Sequence, residues 1–324
     1  LFELTPDAAA SYLSSRGYPG AWRITPLGGG VSNTVVLAES GSDRIVLKQA
    51  LGKLRVEQEW LSERTRIWRE AEAIRLLAPY FPPGAVPPIA FEDRDNCIYA
   101  MEAAPPGARP WKTCLLEGEL DLATAETVGD LLARMIRASR ESPAWETSFG
   151  DQTVFDQLRL DPYYRSTALV HPDLAGFFDS LIDDCSTRRY SLVHGDWSPK
   201  NFLVEGISVM AIDFEVIHYG NPAFDTGFLL NHLLLKSYFL PAHAGGFAQL
   251  AARFWETLRA GLQNEPNCLE FDTIRQLGGL LLARIDGKSP AEYIRDPDLK
   301  QRIRDAARRL IQRPPCTLRE VFGL

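Results

Sequence analysis

Residues 192–215, L-V-H-G-D-W-S-P-K-N-F-L-V-E-G-I-S-V-M-A-I-D-F-E, constrain this chain more than any other stretch. A short apolar run ends at His194-Gly195-Asp196, and Asn201 follows on a turn punctuated by Pro199. A second apolar run then leads into Asp213-Phe214-Glu215. Apolar runs separated by turn residues predict a hairpin-like unit, which brings the oxygens of Asp196, Asn201 and Asp213 to one mouth. An amide oxygen opposite a carboxylate suits a hard cation such as Mg2+, which keeps several waters and takes phosphate oxygens as further ligands. The remaining carboxylate, Asp196, is then placed to orient a nucleophilic hydroxyl and accept its proton.

The upstream third reads as a small sheet. Strand-like runs fall at 22–27, 34–39 and 44–48, with Ser40-Gly41-Ser42-Asp43 as the turn joining the last two. Between the first two lies Gly28-Gly29-Gly30-Val31-Ser32-Asn33. Its glycines let the backbone approach a phosphate closely, and Ser32 and Asn33 add donors. Lys48 closes Ile45-Val46-Leu47-Lys48, and residues 66–77 repeat apolar side chains at helical spacing while offering Glu70 and Glu72 as carboxylates. Two more strands are expected at 89–92 and 97–101. Met101-Glu102-Ala103-Ala104-Pro105-Pro106-Gly107 then forms an extended exit stiffened by proline. Beyond it the periodicity is helical, at 123–138, 172–184, 227–240, 247–262, 271–285 and 297–312.

The order H-G-D-x-x-x-x-N and then D-F-E resembles the kinase catalytic loop and its metal segment. Glycine in the second place and D-F-E in place of D-F-G are similar to the superfamily of aminoglycoside phosphotransferases, choline kinases and methylthioribose kinases. The charged connection 49–64 is similar to that of methylthioribose kinases in particular. Almost the whole chain takes part in the resemblance, which is strong over 192–225 and loose after residue 240. It implies an α+β, bilobal protein-kinase-like fold. Residues 1–103 would be a small N-lobe with an antiparallel sheet and one helix, and residues 104–324 a larger, mainly helical C-lobe.

The implied reaction moves the γ-phosphoryl of ATP, with Mg2+, to a hydroxyl of a small molecule. Gly28, Gly29, Gly30, Ser32 and Asn33 would cover the phosphates. Lys48 would grip the non-transferred ones, held by Glu70, which fits the family pattern R-E-x-x-x-L-x-x-L better than Glu72 does. Met101, Glu102 and Ala104 would meet adenine through their backbone. Asn201 and Asp213 would bind Mg2+, Asp196 would be catalytic, and His194 and Asp225 would support the loop. Glu215, Arg284 and Lys288 are candidates for the acceptor site. A fork of Arg284 and Lys288 around Asp286 suits hydroxyls or a carboxylate better than several ammonium groups, which favours a sugar-like polyol. The lysine usual two residues after the catalytic aspartate is replaced by Ser198, and Lys200 is its candidate substitute. Two alternatives stand beside this reading: an aminoglycoside or amino-alcohol kinase, and a regulatory nucleotide-binding pseudokinase. The presence of Lys48, Asp196, Asn201 and Asp213 weighs against the second.

A net charge of −7 argues against non-specific binding to nucleic acid or to an anionic membrane. The five cysteines are odd in number and nowhere form C-x-x-C, so neither a zinc site nor a disulfide framework is expected. The first residues show no signal-peptide pattern, and the apolar run 227–240 is interrupted by Asn231, His232 and Lys236. A cytoplasmic monomer or homodimer acting on a small molecule is the expectation.

Overall fold

The computed structural model describes residues 2–28, 33–50, 66–262 and 268–323. Gly29, Gly30, Ser32 and most of the charged connection after Lys48 lie outside them. Contacts divide the chain into two compact units, Leu1–Gly107 and Ala108–Leu324.

The first unit is a five-stranded antiparallel sheet with a helix on each face. Its strands are β1 (Arg23–Pro26), β2 (Asn33–Ser40), β3 (Asp43–Ala50), β4 (Ile89–Asp93) and β5 (Ile98–Glu102), in the order β1-β2-β3-β5-β4. Helix α1 (Pro6–Ser15) starts where the sequence places a cap and a first-turn proline, with Thr5 Oγ1 accepting from Ala8 N–H at 3.3 Å. Side chains alternate along β3. Ile45 and Leu47 join Leu13 and Tyr12 of α1 in one cluster, whereas Val46 and Ala50 join Ile67 and Ala71 of α2 (Arg66–Leu77) in the other. Period two therefore aims Lys48 at α2. There Ile67, Glu70, Ala71 and Ile74 share the buried stripe.

The second unit is mainly helical. A three-stranded sheet orders β6 (Arg109–Pro110), β8 (Phe202–Glu205) and β9 (Ser208–Ala211), and β7 (Ser191–Val193) pairs antiparallel with β10 (His218–Gly220). The helices that matter below are α3 (Leu122–Arg140), α4 (Ala223–Phe239), α5 (Ala244–Leu262), α6 (Cys268–Asp286) and α7 (Pro297–Gln312). Residues Asp156–Arg165 form wide π-helical turns with Pro162 inside them, an element that periodicity does not signal. The apolar run 227–240 is a buried core helix, and no described helix is long and apolar enough to cross a membrane.

Helices α4 and α6 approach closely at Gly227. A Cβ built there would lie 2.8 Å from Gln276 Cβ and 3.2 Å from the Leu277 backbone nitrogen. Gly227→Val should therefore overpack this contact and remove ~1–3 kcal/mol of stability, read as a lower melting temperature. An unchanged Tm would contradict the close approach of the two helices.

Candidate active site

The loop after β7 is held from beneath by one carboxylate. Asp225, in the first turn of α4 and fully buried, accepts from the backbone N–H of His194 at 2.6 Å and of Gly195 at 2.9 Å. Burial pushes its carboxyl up to about 7, against the pull of those two N–H groups. Gly195 has φ +76, and a Cβ on it would sit 2.8 Å from Val216 Cγ1 and 2.9 Å from the Val216 carbonyl. Only glycine meets both conditions, which accounts for the middle residue of H-G-D. The His194 ring is fully buried. Its Nδ1 accepts the Asp196 N–H and its Nε2 faces the Ile212 carbonyl, each at 3.2 Å, so the ring is neutral with its proton on Nε2. Burial pushes its pKa down to about 4. The ring also packs against Phe214 (centroids 4.6 Å apart) and Trp197 (5.4 Å). His194 thus ties the loop to the start of the D-F-E segment.

Asp196 is only 3% exposed, yet two cations meet its carboxylate: Lys200 Nζ at 2.8 Å and Arg159 Nη2 at 3.0 Å, both on Oδ2. Burial alone would raise this carboxyl. The positive charges of Lys200 and Arg159 outweigh it and hold the group far below the usual carboxylate range. Ser198, two residues on, is fully buried, so a lysine there would have to bury its whole stem. Lys200, half exposed and four residues after Asp196, brings a cation to its carboxylate.

Arg159 is the residue that the sequence reading missed. It projects from the π-helical segment, where no periodicity or motif marks it, and donates through Nε to the Gly195 carbonyl at 2.6 Å. It therefore grips the loop backbone and the Asp196 carboxylate together. Its charge is favoured by Asp196 and, more weakly, by Glu215 and Asp213, which outweigh its burial. Those interactions place Glu215 and Asp213 within electrostatic reach of the same guanidinium.

Asn201 and Asp213 stand at the open end of the β8–β9 hairpin. Phe202 pairs with Ala211, and Ile212 N–H donates to the Asn201 carbonyl at 3.0 Å, so Asp213 lies one residue past the partner of Asn201. Asn201 Nδ2 donates to the Asp196 carbonyl at 2.9 Å, which commits the nitrogen and turns the amide oxygen away as an acceptor. Asp213 has φ +68, a left-handed conformation uncommon outside glycine that re-aims its side chain. One carboxylate and one amide oxygen are a hard but incomplete donor set. It fits Mg2+ completed by water and phosphate, and among the described residues no group of three His, Cys, Asp or Glu competes for a metal.

In the first unit Lys48 and Glu70 form a buried ion pair, with Nζ 2.8–2.9 Å from both carboxylate oxygens. Gly28 and Asn33 flank the undescribed part of the glycine loop, and Asn33 begins β2 opposite Ala50. Around Met101 the backbone is partly engaged. Glu102 N–H donates to the Pro88 carbonyl at 2.9 Å, Ala103 N–H to the Arg44 carbonyl at 3.1 Å, and the Ala104 carbonyl receives the Arg44 guanidinium.

The expected fork at the end of α6 is not formed. Asp286 pairs with His171 at 2.9 Å and Arg304 at 2.8 Å, and Lys288 reaches out to Asp161 at 2.8 Å. Arg284 turns inward and donates to Ser289 Oγ at 2.8 Å. The three charges point to three different partners because Arg284 lies on the buried face of the helix and the loop after it is exposed.

Comparison with known proteins bears on the family and the fold. Residues 23–260 match the phosphotransferase enzyme family. The chain belongs to that family. It is 26% identical over 274 residues to the methylthioribose kinase of Escherichia coli, across 74% of this chain and 65% of that protein. It is also 26% identical over 238 residues to the methylthioribose kinase of Exiguobacterium sibiricum, across 65% and 61%. The chain thus spans just under two thirds of the length of these relatives. An amicoumacin kinase solved in complex with AMP-PNP, Ca2+ and Ami superposes with a TM-score of 0.58 at 15% identity, over 97% of this chain and 96% of that one. A choline/ethanolamine kinase family protein of Mesorhizobium loti gives 0.56 at 15%, over 98% and 97%. A macrolide 2'-phosphotransferase of Brachybacterium faecium gives 0.56 at 17%, over 95% and 99%. The fold of this family member is the protein-kinase-like one.

The loop makes a prediction about pH. Between pH 6.5 and 4 the unfolded chain binds a proton at His194 that the folded chain refuses, so His194 withdraws stability as pH falls, on the order of 3 kcal/mol by pH 4. Asp225 acts in the opposite sense. Folded, it keeps a proton that the unfolded chain releases between pH 3.8 and about 7, so its contribution grows as pH falls through that window. His194→Gln deletes the first effect only. The Tm of the variant minus that of the parent should therefore become more positive from pH 6.5 to 4. A difference independent of pH would show that His194 is not held neutral.

Proposed function

We propose that this family member transfers the γ-phosphoryl group of ATP to a hydroxyl of a small, sugar-like polyol, the class to which methylthioribose belongs. The observation that carries the reading is the buried Asp196 carboxylate, fixed between Lys200 and Arg159 at the open end of the Asn201–Asp213 hairpin. In the reaction the acceptor oxygen forms a bond to the γ-phosphorus as the bond to the bridging oxygen breaks, and ADP leaves. A carboxylate held so acidic is a poor base toward a free alcohol. Asp196 therefore works first by accepting the hydroxyl hydrogen bond and aligning the oxygen, and takes the proton only late, when transfer of the phosphoryl group has made it acidic. Lys200 and Arg159 keep that carboxylate charged until then and add positive charge where negative charge spreads in the transition state.

Asn201 and Asp213 would hold Mg2+, whose chemistry there is to neutralise phosphate charge. In the first unit Lys48, paired with Glu70, would bind the phosphates that stay with the nucleotide. The arrangement of β3 and α2 suits that role, because period two in the strand and the α2 stripe deliver the two side chains to one place.

Two substitutions test this. Asp196→Asn should retain ATP binding and lower kcat by ~10²–10⁴, measured on the best acceptor from a panel of sugars, amino alcohols and aminoglycosides. Wild-type turnover by this variant would remove Asp196 from the reaction, and a parent inert on the whole panel would favour a non-catalytic nucleotide binder. Asp213→Ala should abolish the Mg2+ dependence of ATP affinity. ATP binding indifferent to both the metal and this change would place the nucleotide elsewhere.

A further inference from the structure

Strand β5 ends at Glu102, and its two edges are used differently there. Toward β3, Ala103 N–H donates to the Arg44 carbonyl at 3.1 Å, continuing the ladder in which Ile45 faces Glu102. Toward β4, Glu102 N–H donates to the Pro88 carbonyl at 2.9 Å, one step beyond the pairing of Ile89 with Met101. Such an antiparallel pair normally returns a second bond, from the N–H of residue 88 to the carbonyl of residue 102. Proline has no N–H to give, so the Glu102 carbonyl is left open. Because Ala103 turns toward β3, the N–H of Ala104 points to the same edge as that carbonyl, and Pro105 biases Ala104 to extended backbone. Among the described residues the Ala104 N–H has no hydrogen bond. Glu102 is exposed and Ala104 half-buried, so an open acceptor and an open donor stand two residues apart on an accessible edge.

The next acceptor along, the Ala104 carbonyl, is already taken. Arg23, Glu39 and Arg44 are direct cross-strand partners on β1, β2 and β3, and so share one face of the sheet. Glu39 Oε1 accepts from Arg44 Nε at 3.0 Å, and its other oxygen meets Arg23. The guanidinium at the end of this row donates through Nη1 to the Ala104 carbonyl. Arg44 is therefore held at both ends.

Adenine presents a donor, its 6-amino group, beside an acceptor at N1. Guanine presents the reverse, an acceptor at O6 beside a donor at N1. The Glu102 carbonyl and the Ala104 N–H complement adenine. They oppose guanine, lone pair against lone pair and N–H against N–H. Guanine would have to move one step along, with O6 on the Ala104 N–H and its N1–H on the Ala104 carbonyl. At that oxygen Arg44 already donates, and its positive charge faces the incoming N–H.

We infer that Arg44 is a specificity-determining residue: by occupying the Ala104 carbonyl it closes the register that a 6-oxopurine nucleotide needs and confines this edge to adenine nucleotides. This rests on the phosphotransfer reading above and deepens it at the phosphoryl donor.

Calorimetric binding of Mg-ATP, Mg-GTP and Mg-ITP tests it without an acceptor. Hypoxanthine, the base of ITP, carries the O6 and N1–H of guanine without the 2-amino group. The parent should bind ATP about tenfold or more tighter than either 6-oxopurine nucleotide. Arg44→Met should tighten GTP and ITP about fivefold and change ATP less than about twofold, a gain that partial unfolding does not mimic. Glu39→Gln, which loosens Arg44 without removing it, should move the ratio the same way by less. Arg23→Ala, which breaks the same row away from Ala104, should leave the ratio where it was. A parent that binds GTP as tightly as ATP overturns the inference, and so does a ratio unchanged by Arg44→Met or shifted equally by Arg23→Ala. ITP bound as tightly as ATP also overturns it, because exclusion would then act on the 2-amino group and not on the hydrogen-bond register. A parent that binds none of the three overturns it together with the phosphotransfer reading. Selective ATP binding that responds to Arg44→Met, with no acceptor of the panel phosphorylated, supports the role of Arg44 and sinks the phosphotransfer reading instead.

Discussion

The two backbone N–H groups that Asp225 accepts are the interaction from which the rest of the candidate site follows. Residues 194–196 follow β7 directly and cannot satisfy these N–H groups within its ladder, where Val193 already pairs with His218. A buried N–H left without a partner costs about 1–3 kcal/mol. Asp225 removes two such costs at once, from the first turn of a helix whose dipole favours a negative group. With His194 and Gly195 fixed, the left-handed turn at Gly195 directs Asp196 toward Arg159 and Lys200, and the His194 ring fixes where Ile212 and Asp213 begin. One carboxylate therefore sets the position of another carboxylate, a metal-binding candidate and a cation.

Charge is arranged around Asp196 in a way that a pairwise list of contacts conceals. A solitary buried carboxylate would be protonated, and it could then neither align a hydroxyl by accepting from it nor receive its proton. Two cations reverse that, and they differ in kind. Arg159 is nearly buried, bonded to the loop backbone and fixed in geometry. Lys200 is half exposed and reaches the carboxylate from the solvent side of the loop with its flexible stem. In the proposed reaction the first would keep the carboxylate in place and the second would face the negative charge that develops. This division explains how the site tolerates Ser198 where a lysine is usual. The backbone turn buries that position, and the cation is delivered from elsewhere in the chain.

Much of this was legible in the sequence, for identifiable reasons. Strands β2, β3 and β5 and the helices α2–α7 announce themselves through period two or 3.6, and Thr5-Pro6 marks α1 by its cap. Asp196, Asn201 and Asp213 stand close together in the chain, so their spacing alone encodes the hairpin that joins them. Arg159 was invisible because its role depends on a π-helical segment and on a partner far along the chain. Neither feature leaves a periodic trace. The fork at Arg284, Asp286 and Lys288 was misread for the opposite reason. Charges this close in sequence suggest a shared ligand, whereas residues two apart on a helix point apart.

The π-helical segment links these points. Its hydrogen bonds close over five residues and not four, and Pro162 within it can give no N–H to a regular helix. Its carbonyl is not wasted: it accepts from Ser166 Oγ at 2.5 Å and from the Lys288 N–H at 3.0 Å, which ties the segment to the loop after α6. Arg159 of this segment meets the Asp196 carboxylate and Tyr163 meets the Arg284 guanidinium, so one short element touches both the carboxylate that would align a hydroxyl and a buried cation of α6. The chain departs from regular helix in the segment that carries both Arg159 and Tyr163, and that wider period is why helical spacing in the sequence marks neither of them.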